Sequence, residues 1–411
     1  MNHLAILGST GSIGRQCLSV VEESLPGQFV VCGLAAGSNL DELVTQIERH
    51  RPNVVSVANA QKADELAERL RTKKVAPLPS IHQGREGMLT IATLARAEIV
   101  VSAAVGVVGL EATYEAVKLG KTVALSNKEV LVAAGELVMA AVKKAGRELL
   151  PVDSEHNAVH QCLRGGKSTE VRRLVLTASG GPFRKTPLSA FDSITPEQAL
   201  AHPNWRMGNR ITIDSATMMN KGFEIIEARW LFGMRPDQID VVIHPQSTVH
   251  SFVEFIDGSV LAQLGPTDMR MPIQYALTYP ERLASNQIAL DWKKLRRLDF
   301  APASTRRFPC LKLAREAMKK GGALPCALNA ADEVAVAAFL ERRLSFPGIA
   351  AVIESVLART PCVKFENISD VLAADVEARR MANEEVARLS SVTAVASRPN
   401  LITTIKSAVV E

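Results

Sequence analysis

The chain has 411 residues, 47% hydrophobic and 22% charged, which excludes a disordered or fibrous protein and predicts two to four domains with real cores. Lysine and arginine exceed aspartate and glutamate by 48 − 43 = 5, scattered along the chain rather than gathered into arms. Nucleic acid is therefore not expected as a partner, while room is left for a local anionic ligand. The apolar stretches are too short, or too often broken by Gly or Ser, to cross a bilayer, and six cysteines without a Cys-x-x-Cys pair read as reduced thiols of a cytoplasmic protein.

In chain order, the opening residues 1–8 pass straight from an apolar run to glycine and read as a first strand rather than a targeting signal. From residue 1 to about 152, short apolar runs at 4–7, 29–34, 54–57, 98–101, 122–125 and 148–152 alternate with amphipathic stretches. This is the rhythm of a parallel sheet with crossover helices. The turn Gly8-Ser9-Thr10-Gly11-Ser12-Ile13-Gly14 follows a strand and opens a helix, where a dinucleotide pyrophosphate can lie on free N–H groups and the helix dipole. Its glycines stand three apart rather than in the commonest fingerprint, so position carries the reading more than spacing. About 20 residues on, where a carboxylate would hold a ribose 2′-hydroxyl, the chain reads Ala35-Ala36-Gly37-Ser38-Asn39. That favours NADP over NAD, with Asp41 assigned to a helix start.

Past residue 152, Asp153-Ser154-Glu155-His156 breaks out of an apolar strand. Carboxylates two apart in extended chain point to one side, about 6–7 Å apart, which is half of an oxygen-ligand site. The same residues also suit a helix N-terminus, with Asp153 capping and Glu155 favouring the dipole. The helix expected over 220–230 puts Asn220 and Glu224 on one face, and Glu224 or Glu227 can complete a hard-cation site with Asp153 and Glu155. The plainer reading is a solvated face paired to Arg229. Hydroxyl-rich turns Ser179-Gly180-Gly181-Pro182 and Asp214-Ser215-Ala216-Thr217, with Lys221, can clamp a phosphate monoester, though such turns are common. Between them, His202-Pro203-Asn204-Trp205-Arg206-Met207-Gly208 has the composition of a loop that closes over a ligand, or of an inert connection.

Other signals are weaker. His156 and His160 stand four apart without the glutamate of a zinc protease, so no histidine metal site is expected. Residues 241–265 alternate around Asp257-Gly258 as an antiparallel hairpin with a structural task such as subunit pairing. Residues 291–308 read as a connection, and 309–320, 327–342, 347–358 and 368–389 as helices of a small domain.

In their order, the turn 8–14, Asn127-Lys128-Glu129, Pro151-Val152-Asp153-Ser154-Glu155-His156-Asn157, Ser179-Gly180-Gly181-Pro182-Phe183, His202-Pro203-Asn204-Trp205, Asp214-Ser215-Ala216-Thr217-Met218-Met219-Asn220-Lys221-Gly222 and His244-Pro245-Gln246-Ser247 form a dense pattern. It resembles the 1-deoxy-D-xylulose 5-phosphate reductoisomerase family of the non-mevalonate isoprenoid pathway, over residues 1 to about 390. The resemblance implies an α/β protein in three parts. These are an N-terminal Rossmann-like dinucleotide-binding domain (1–152), a central α+β catalytic domain with a mixed sheet and dimerisation strands (153–290), and, after a linker (291–308), a C-terminal four-helix bundle (309–392) followed by a tail (393–411).

The resemblance further implies a homodimer, and NADPH contacts at Thr10, Gly11, Ser12, Ile13, Gly37, Asn39, Asn127, Glu129 and Gly208. Ser38 joins them as a hydroxyl donor to the 2′-phosphate, because many relatives carry a basic residue there. A divalent metal (Mn, Mg or Co) falls on Asp153, Glu155 and Glu224. The phosphorylated sugar substrate falls on Lys128, Ser154, Glu155, Ser179, His202, Ser215, Asn220, Lys221 and Glu224, with Lys128 near the reacting end and Trp205 and Met207 in the closing loop. A second departure is Gly265-Pro266-Thr267-Asp268-Met269-Arg270, where many relatives have Pro directly before Asp-Met-Arg.

The expected reaction is the NADPH-dependent rearrangement and reduction of 1-deoxy-D-xylulose 5-phosphate to 2-C-methyl-D-erythritol 4-phosphate. One alternative is another NADP-linked oxidoreductase, of the semialdehyde-dehydrogenase kind, which needs an activated cysteine. Cys162, the only cysteine of the central region, lacks a glycine-framed turn. The other alternative is a non-catalytic NADP-sensing protein whose helical domain binds a partner.

Overall fold

A computed structural model describes residues 1–205, 207–285 and 289–396. Seven strands, β1 (Asn2–Leu7), β2 (Phe29–Ala35), β3 (Val54–Val57), β4 (Ser80–Gln83), β5 (Ile99–Ser102), β6 (Thr122–Leu125) and β7 (Leu149–Pro151), form one sheet in the order β4-β3-β2-β1-β5-β6-β7. Every neighbouring pair is parallel. Helices cover both faces, so the strands are apolar on both. Leu4 and Ile6 of β1 enter one core cluster while Ala5 and Leu7 enter the other, as the two-residue period of a strand requires.

The order reverses between β1 and β5, where open parallel sheets leave a crevice at the strands' carboxyl ends. Helices leave several of these ends through an amide or carboxylate cap: Asn39 to the N–H of Glu42, Asn59 to that of Lys62, Asn127 to that of Glu129, and Asp153 to those of Glu155 and His156.

The second sheet comprises β8 (Val171–Ala178), β9 (Ile239–Ile243), β10 (Val249–Phe255), β11 (Val260–Leu264) and β12 (Ala301–Pro302), in the order β11-β10-β8-β9-β12. It is mixed: β8 and β9 run parallel and the other pairs antiparallel. Helices Pro309–Lys320, Leu324–Leu340, Phe346–Arg359 and Ile368–Ala396 follow. Leu174 and Leu176 of β8, Phe223, Ala314, Phe339 and Phe346 belong to one continuous core, so sheet and bundle bury each other. The helix Arg270–Thr278 crosses back, placing Ile273, Ala276 and Leu277 in the core beside Leu4 and Ile6.

Four sequence expectations change. Strand β4 was not expected, because Ser80–Gln83 has no apolar run and sits at the sheet's edge. The hairpin read over 241–265 is confined to β10 and β11, since residues 241–243 belong to β9 and pair in parallel with β8. The connection 291–308 contains β12, too short to carry a pattern. The last helix continues to Ala396, past the expected start of the tail at 393, and residues 397–411 of that tail lie outside the described residues.

Candidate active site

A cleft of about 960 Å³ opens at the carboxyl ends of β1, β5, β6 and β7 and is closed on its far side by the second sheet and its helices. Gly11, Ser12 and Ile13 line one end, Asn127, Lys128, Glu129 and Asp153 the floor, and Ser179, Ser215, Asn220 and Lys221 the opposite wall. Trp205 and Met207 stand over it, and Ser154, Glu155, His202 and Gly208 also reach it. Arg206 of that loop lies outside the described residues.

The turn after β1 is built for close approach. Gly8 has φ +87°, and a Cβ on Gly14 would stand 2.4 Å from the Gly8 carbonyl oxygen and 2.5 Å from the Ser9 Cα. Gly11 is the N-cap of the helix Ser12–Ser19 and supplies no side-chain cap, so the first-turn N–H groups face the cleft without a side-chain partner. That fits an anionic pyrophosphate. Gly37, Ser38 and Asn39 are exposed at the end of β2, outside the lining of the cleft, and the half-buried Thr10 is outside that lining too. Asn39 uses its side-chain oxygen on the N–H of Glu42, at 3.3 Å.

On the floor, both readings of the Asp153 segment hold at once. Asp153 caps the helix Ser154–Leu163, Glu155 sits in its first turn, and both carboxylates converge with Glu224, one oxygen of each lying within 4.8 Å of the others. The x, x+2 extended geometry does not apply, because the chain is already turning into the helix. Glu224 is fully buried, and its neighbour Arg229 donates instead to the Met318 carbonyl, so the solvated-face reading is overturned. Asn220 Nδ2 donates to Glu224 Oε1 at 2.6 Å, as the helix spacing predicts.

Two ammonium groups sit among these acids. Lys128 pairs with Asp153 and lies 3.7 Å from Glu224 and 4.0 Å from Glu227. Lys221 pairs with Glu224 and lies 3.5 Å from Glu155. Burial opposes charge on Asp153, yet Lys128, His156 and Lys221 hold it below the usual carboxylate range. Lys128 is raised by Asp153, Glu224 and Glu227, which outweigh its burial. Glu224 is pushed up to about 8 by burial and by repulsion from Asp153 and Glu155.

Four carboxylates therefore face two ammonium groups, and a divalent cation would relieve the excess. All-oxygen donors suit Mg²⁺ or Mn²⁺. Glu227, the other sequence candidate, stands outside the triad, 3.5 Å from His156 Nδ1. His156 donates from Nε2 to the Glu224 carbonyl at 2.9 Å and stands 3.5 Å from Asp153 through Nδ1, so it touches the acid cluster as a neighbour of the triad, while His160 contacts Tyr275 and Glu148.

His202 organises the opposite wall. Its Nδ1 accepts the N–H groups of Asn204 and Trp205 at 3.2 and 3.0 Å, which leaves the proton on Nε2 for Ser179 Oγ at 3.0 Å. Asn204 ties the loop to the turn after β9 through the Pro245 carbonyl at 2.6 Å and Ser247 at 3.1 Å. Sequence reasoning missed Asn204, Ser247, Arg210 and the pair Asp268–Arg270, all of which line the cleft. Each is a single polar residue, in a loop or in the first turn of a helix, with no local pattern to mark it. Cys162 is buried, which pushes its thiol up to about 11 and removes the nucleophile that a semialdehyde dehydrogenase needs.

Comparison with known proteins agrees with this geometry. Family models described as 1-deoxy-D-xylulose 5-phosphate reductoisomerase, its C-terminal domain, and the DXP reductoisomerase C-terminal domain match residues 4–135, 149–232 and 264–381. The reductoisomerase of Solibacter usitatus is 51% identical over 386 residues, covering 93% of this chain and 97% of its own. That of Heliobacterium modesticaldum is 50% identical over 394 residues, covering 96% and 100%.

Among solved structures, the reductoisomerase of Zymomonas mobilis in complex with NADPH superposes with TM-score 0.87 at 41% identity, covering 94% of this chain and 99% of that one. A DOX-P reductoisomerase in complex with NADPH, fosmidomycin and magnesium gives TM-score 0.89 at 38% identity, covering 94% and 98%. With the acid triad, the glycine turn and the hydroxyl wall in one cleft and half of its residues shared with such relatives, the chain belongs to the 1-deoxy-D-xylulose 5-phosphate reductoisomerase family.

Proposed function

We propose that this chain converts 1-deoxy-D-xylulose 5-phosphate to 2-C-methyl-D-erythritol 4-phosphate with NADPH and a divalent cation, in the cleft described above. The observation that carries the reading is the convergence of Asp153, Glu155 and Glu224 in the same cleft as the uncapped glycine turn. A divalent cation on those carboxylates would polarise a carbonyl and acidify a neighbouring hydroxyl, and NADPH would supply the hydride.

The chain's own residues do the rest. Ser179, Ser215, Asn220 and Lys221 grip the phosphate; His202 donates to the Ser179 oxygen and so leaves the Ser179 hydroxyl proton free for the ligand. That grip is binding energy far from the reacting carbons, available to draw Trp205 and Met207 over the substrate and exclude water. Lys128, at the carboxyl edge of the first sheet, orients a substrate oxygen or assists proton transfer, with Ser154 beside it. Ser154 also donates to Glu155 at 2.8 Å, fixing that carboxylate. Thr10, Gly11, Ser12 and Ile13 hold the pyrophosphate, Gly37, Ser38 and Asn39 the 2′-phosphate end, and Asn127, Glu129 and Gly208 the nicotinamide end.

In this reading residues 1–152 form the NADPH-binding part and 153–290 the catalytic part, with the helices from 309 supporting the latter. The enzyme works as a homodimer joined through β11, whose Val260 and Leu261 are exposed and which pairs only with β10 among the described residues. Six free cysteines favour a reducing, cytoplasmic setting, and no described helix is long and apolar enough to cross a membrane.

The test follows NADPH absorbance with the ketose phosphate and Mn²⁺, with chelator and with NADH in parallel. NADPH should be consumed only with both substrate and cation, and NADH more slowly. Consumption that ignores the chelator, or no consumption at all, would contradict the reading.

A further inference from the structure

Arg210 stands at the start of the helix Asn209–Thr217, directly after the Trp205–Met207 loop, and joins three helices that are remote in sequence. Its Nη1 donates both to Glu129 and, at 2.9 Å, to Glu333 Oε1, while its Nη2 donates to Asn329 Oδ1 at 2.9 Å. Glu129 in turn accepts the N–H of Gly106 at 3.2 Å, and the Gly106 carbonyl accepts from Asn127 Nδ2 at 2.9 Å. Gly106 has φ +71°, and a Cβ there would lie 3.3 Å from Glu333 Oε1, so this turn rests directly on the C-terminal bundle. On its other side Glu333 Oε2 accepts from Arg379 Nη2 at 2.6 Å, and Arg379 is held by Asp375 at 2.6 Å.

We propose that Glu333, a bundle residue outside the cleft lining, is a positioning residue for the cofactor: through Arg210 it fixes Glu129 and the Gly106 turn, the wall that presents Ala104, Val105 and Asn127 to the cleft. The proposal rests on the NADPH reading above. Glu129 and Glu333 are like charges bridged by one guanidinium nitrogen, so the place Arg210 takes against Glu129 depends on Glu333 holding it as well. Asp214 and Asp332 lie 3.7 Å from Arg210, ready to draw it inward when Glu333 loses its charge. Glu129 would then lose its charged partner, and the Gly106 turn that it holds through the N–H would loosen. The bundle thus has a task beyond burying the second sheet: it fixes one wall of the nucleotide site.

The experiment titrates full-length protein with NADPH, read by nicotinamide fluorescence without substrate, and separately with Mn²⁺, read by electron paramagnetic resonance. Glu333→Gln keeps the side-chain shape and should raise the NADPH dissociation constant at least fivefold while the Mn²⁺ constant stays within twofold, since the acid triad lies on other helices. Arg379→Gln, which loosens Glu333 from outside the cleft, should move NADPH binding the same way by less, and decides the matter if Glu333→Gln fails to fold. A folded variant set binding NADPH within twofold of wild type would overturn the proposal, as would parallel losses of NADPH and Mn²⁺ affinity. Wild-type protein that binds Mn²⁺ but no NADPH would overturn the functional reading and this proposal with it.

Discussion

Glu224 meets the strongest electrostatic opposition of the three acids. It has no exposure to water, and Asp153 and Glu155 push against its charge from within the same 4.8 Å cluster. Lys221 and Lys128 offset that only in part, so a bound cation is the natural counter-charge. Glu224→Gln should raise the Mn²⁺ requirement by more than the ~10–100-fold typical of losing an outer partner, and lower turnover with it, while NADPH affinity stays within twofold. Unchanged activity at limiting Mn²⁺ would take Glu224 out of the ligand set.

His202 supplies a pH test. Burial lowers its pKa from 6.5 to about 4, and its Nδ1 must stay unprotonated to accept from Asn204 and Trp205. The stability it lends is complete above pH 6.5 and is lost as pH falls from there towards 4, because the unfolded chain takes up the proton first. Melting temperature between pH 7 and 4.5 should fall more steeply for wild type than for His202→Asn, which keeps an acceptor and does not titrate; parallel slopes would contradict this. At this scale the motifs made Asp153, Glu155 and Asn220 legible, because one short segment or one helix face brings each pair together. Arg210 was not legible: its partners Glu129, Asn329 and Glu333 lie 81 to 123 positions away, and no local pattern marks them.

Among elements, the glycine turn is the most constrained. A methyl on Gly14 meets backbone at 2.4 and 2.5 Å, and backbone cannot step aside as a side chain can. Gly14→Ala should cost about 1–3 kcal/mol in this geometry and weaken NADPH roughly tenfold or more, leaving Mn²⁺ binding intact. Equal NADPH affinity would mean that the turn does not carry the pyrophosphate. Strand β11 makes a second prediction. Leu261 is 40% exposed on this strand, so, with the dimer proposed above joined through β11, Leu261→Arg should shift sedimentation towards monomer at micromolar concentration. An unchanged sedimentation coefficient would place the interface elsewhere.

Strands with β-branched runs, such as Val54–Val57, were readable because burial on both faces demands apolar residues throughout. Edge strands such as Ser80–Gln83 and the two-residue β12 carry no such demand and stayed hidden. The four C-terminal helices were visible from composition and spacing, but the packing of Phe346 against Phe183 and Phe191, past the end of β8, was not, since which apolar face meets which is settled only in three dimensions.

Across the whole molecule, the cleft exists because the carboxyl ends of the first sheet's strands meet the turns and helices built on the second sheet, and the chain crosses back between the two layers. Asp153 comes from the end of β7, Glu155 from the helix it caps, and Glu224 from a helix of the second layer, so the triad forms only when both layers are in register. The helix Arg270–Thr278, packed on the first sheet while β9, β10 and β11 build the second, holds that register from the other side.

Anomalous diffraction at the manganese edge, from crystals grown with Mn²⁺ and NADPH, tests this arrangement most directly. A single manganese peak should lie roughly 2.0–2.3 Å from a carboxylate oxygen of each of Asp153, Glu155 and Glu224, with the nicotinamide in the same cleft. Manganese held by other groups, or nucleotide bound on a different face of the molecule, would contradict the account.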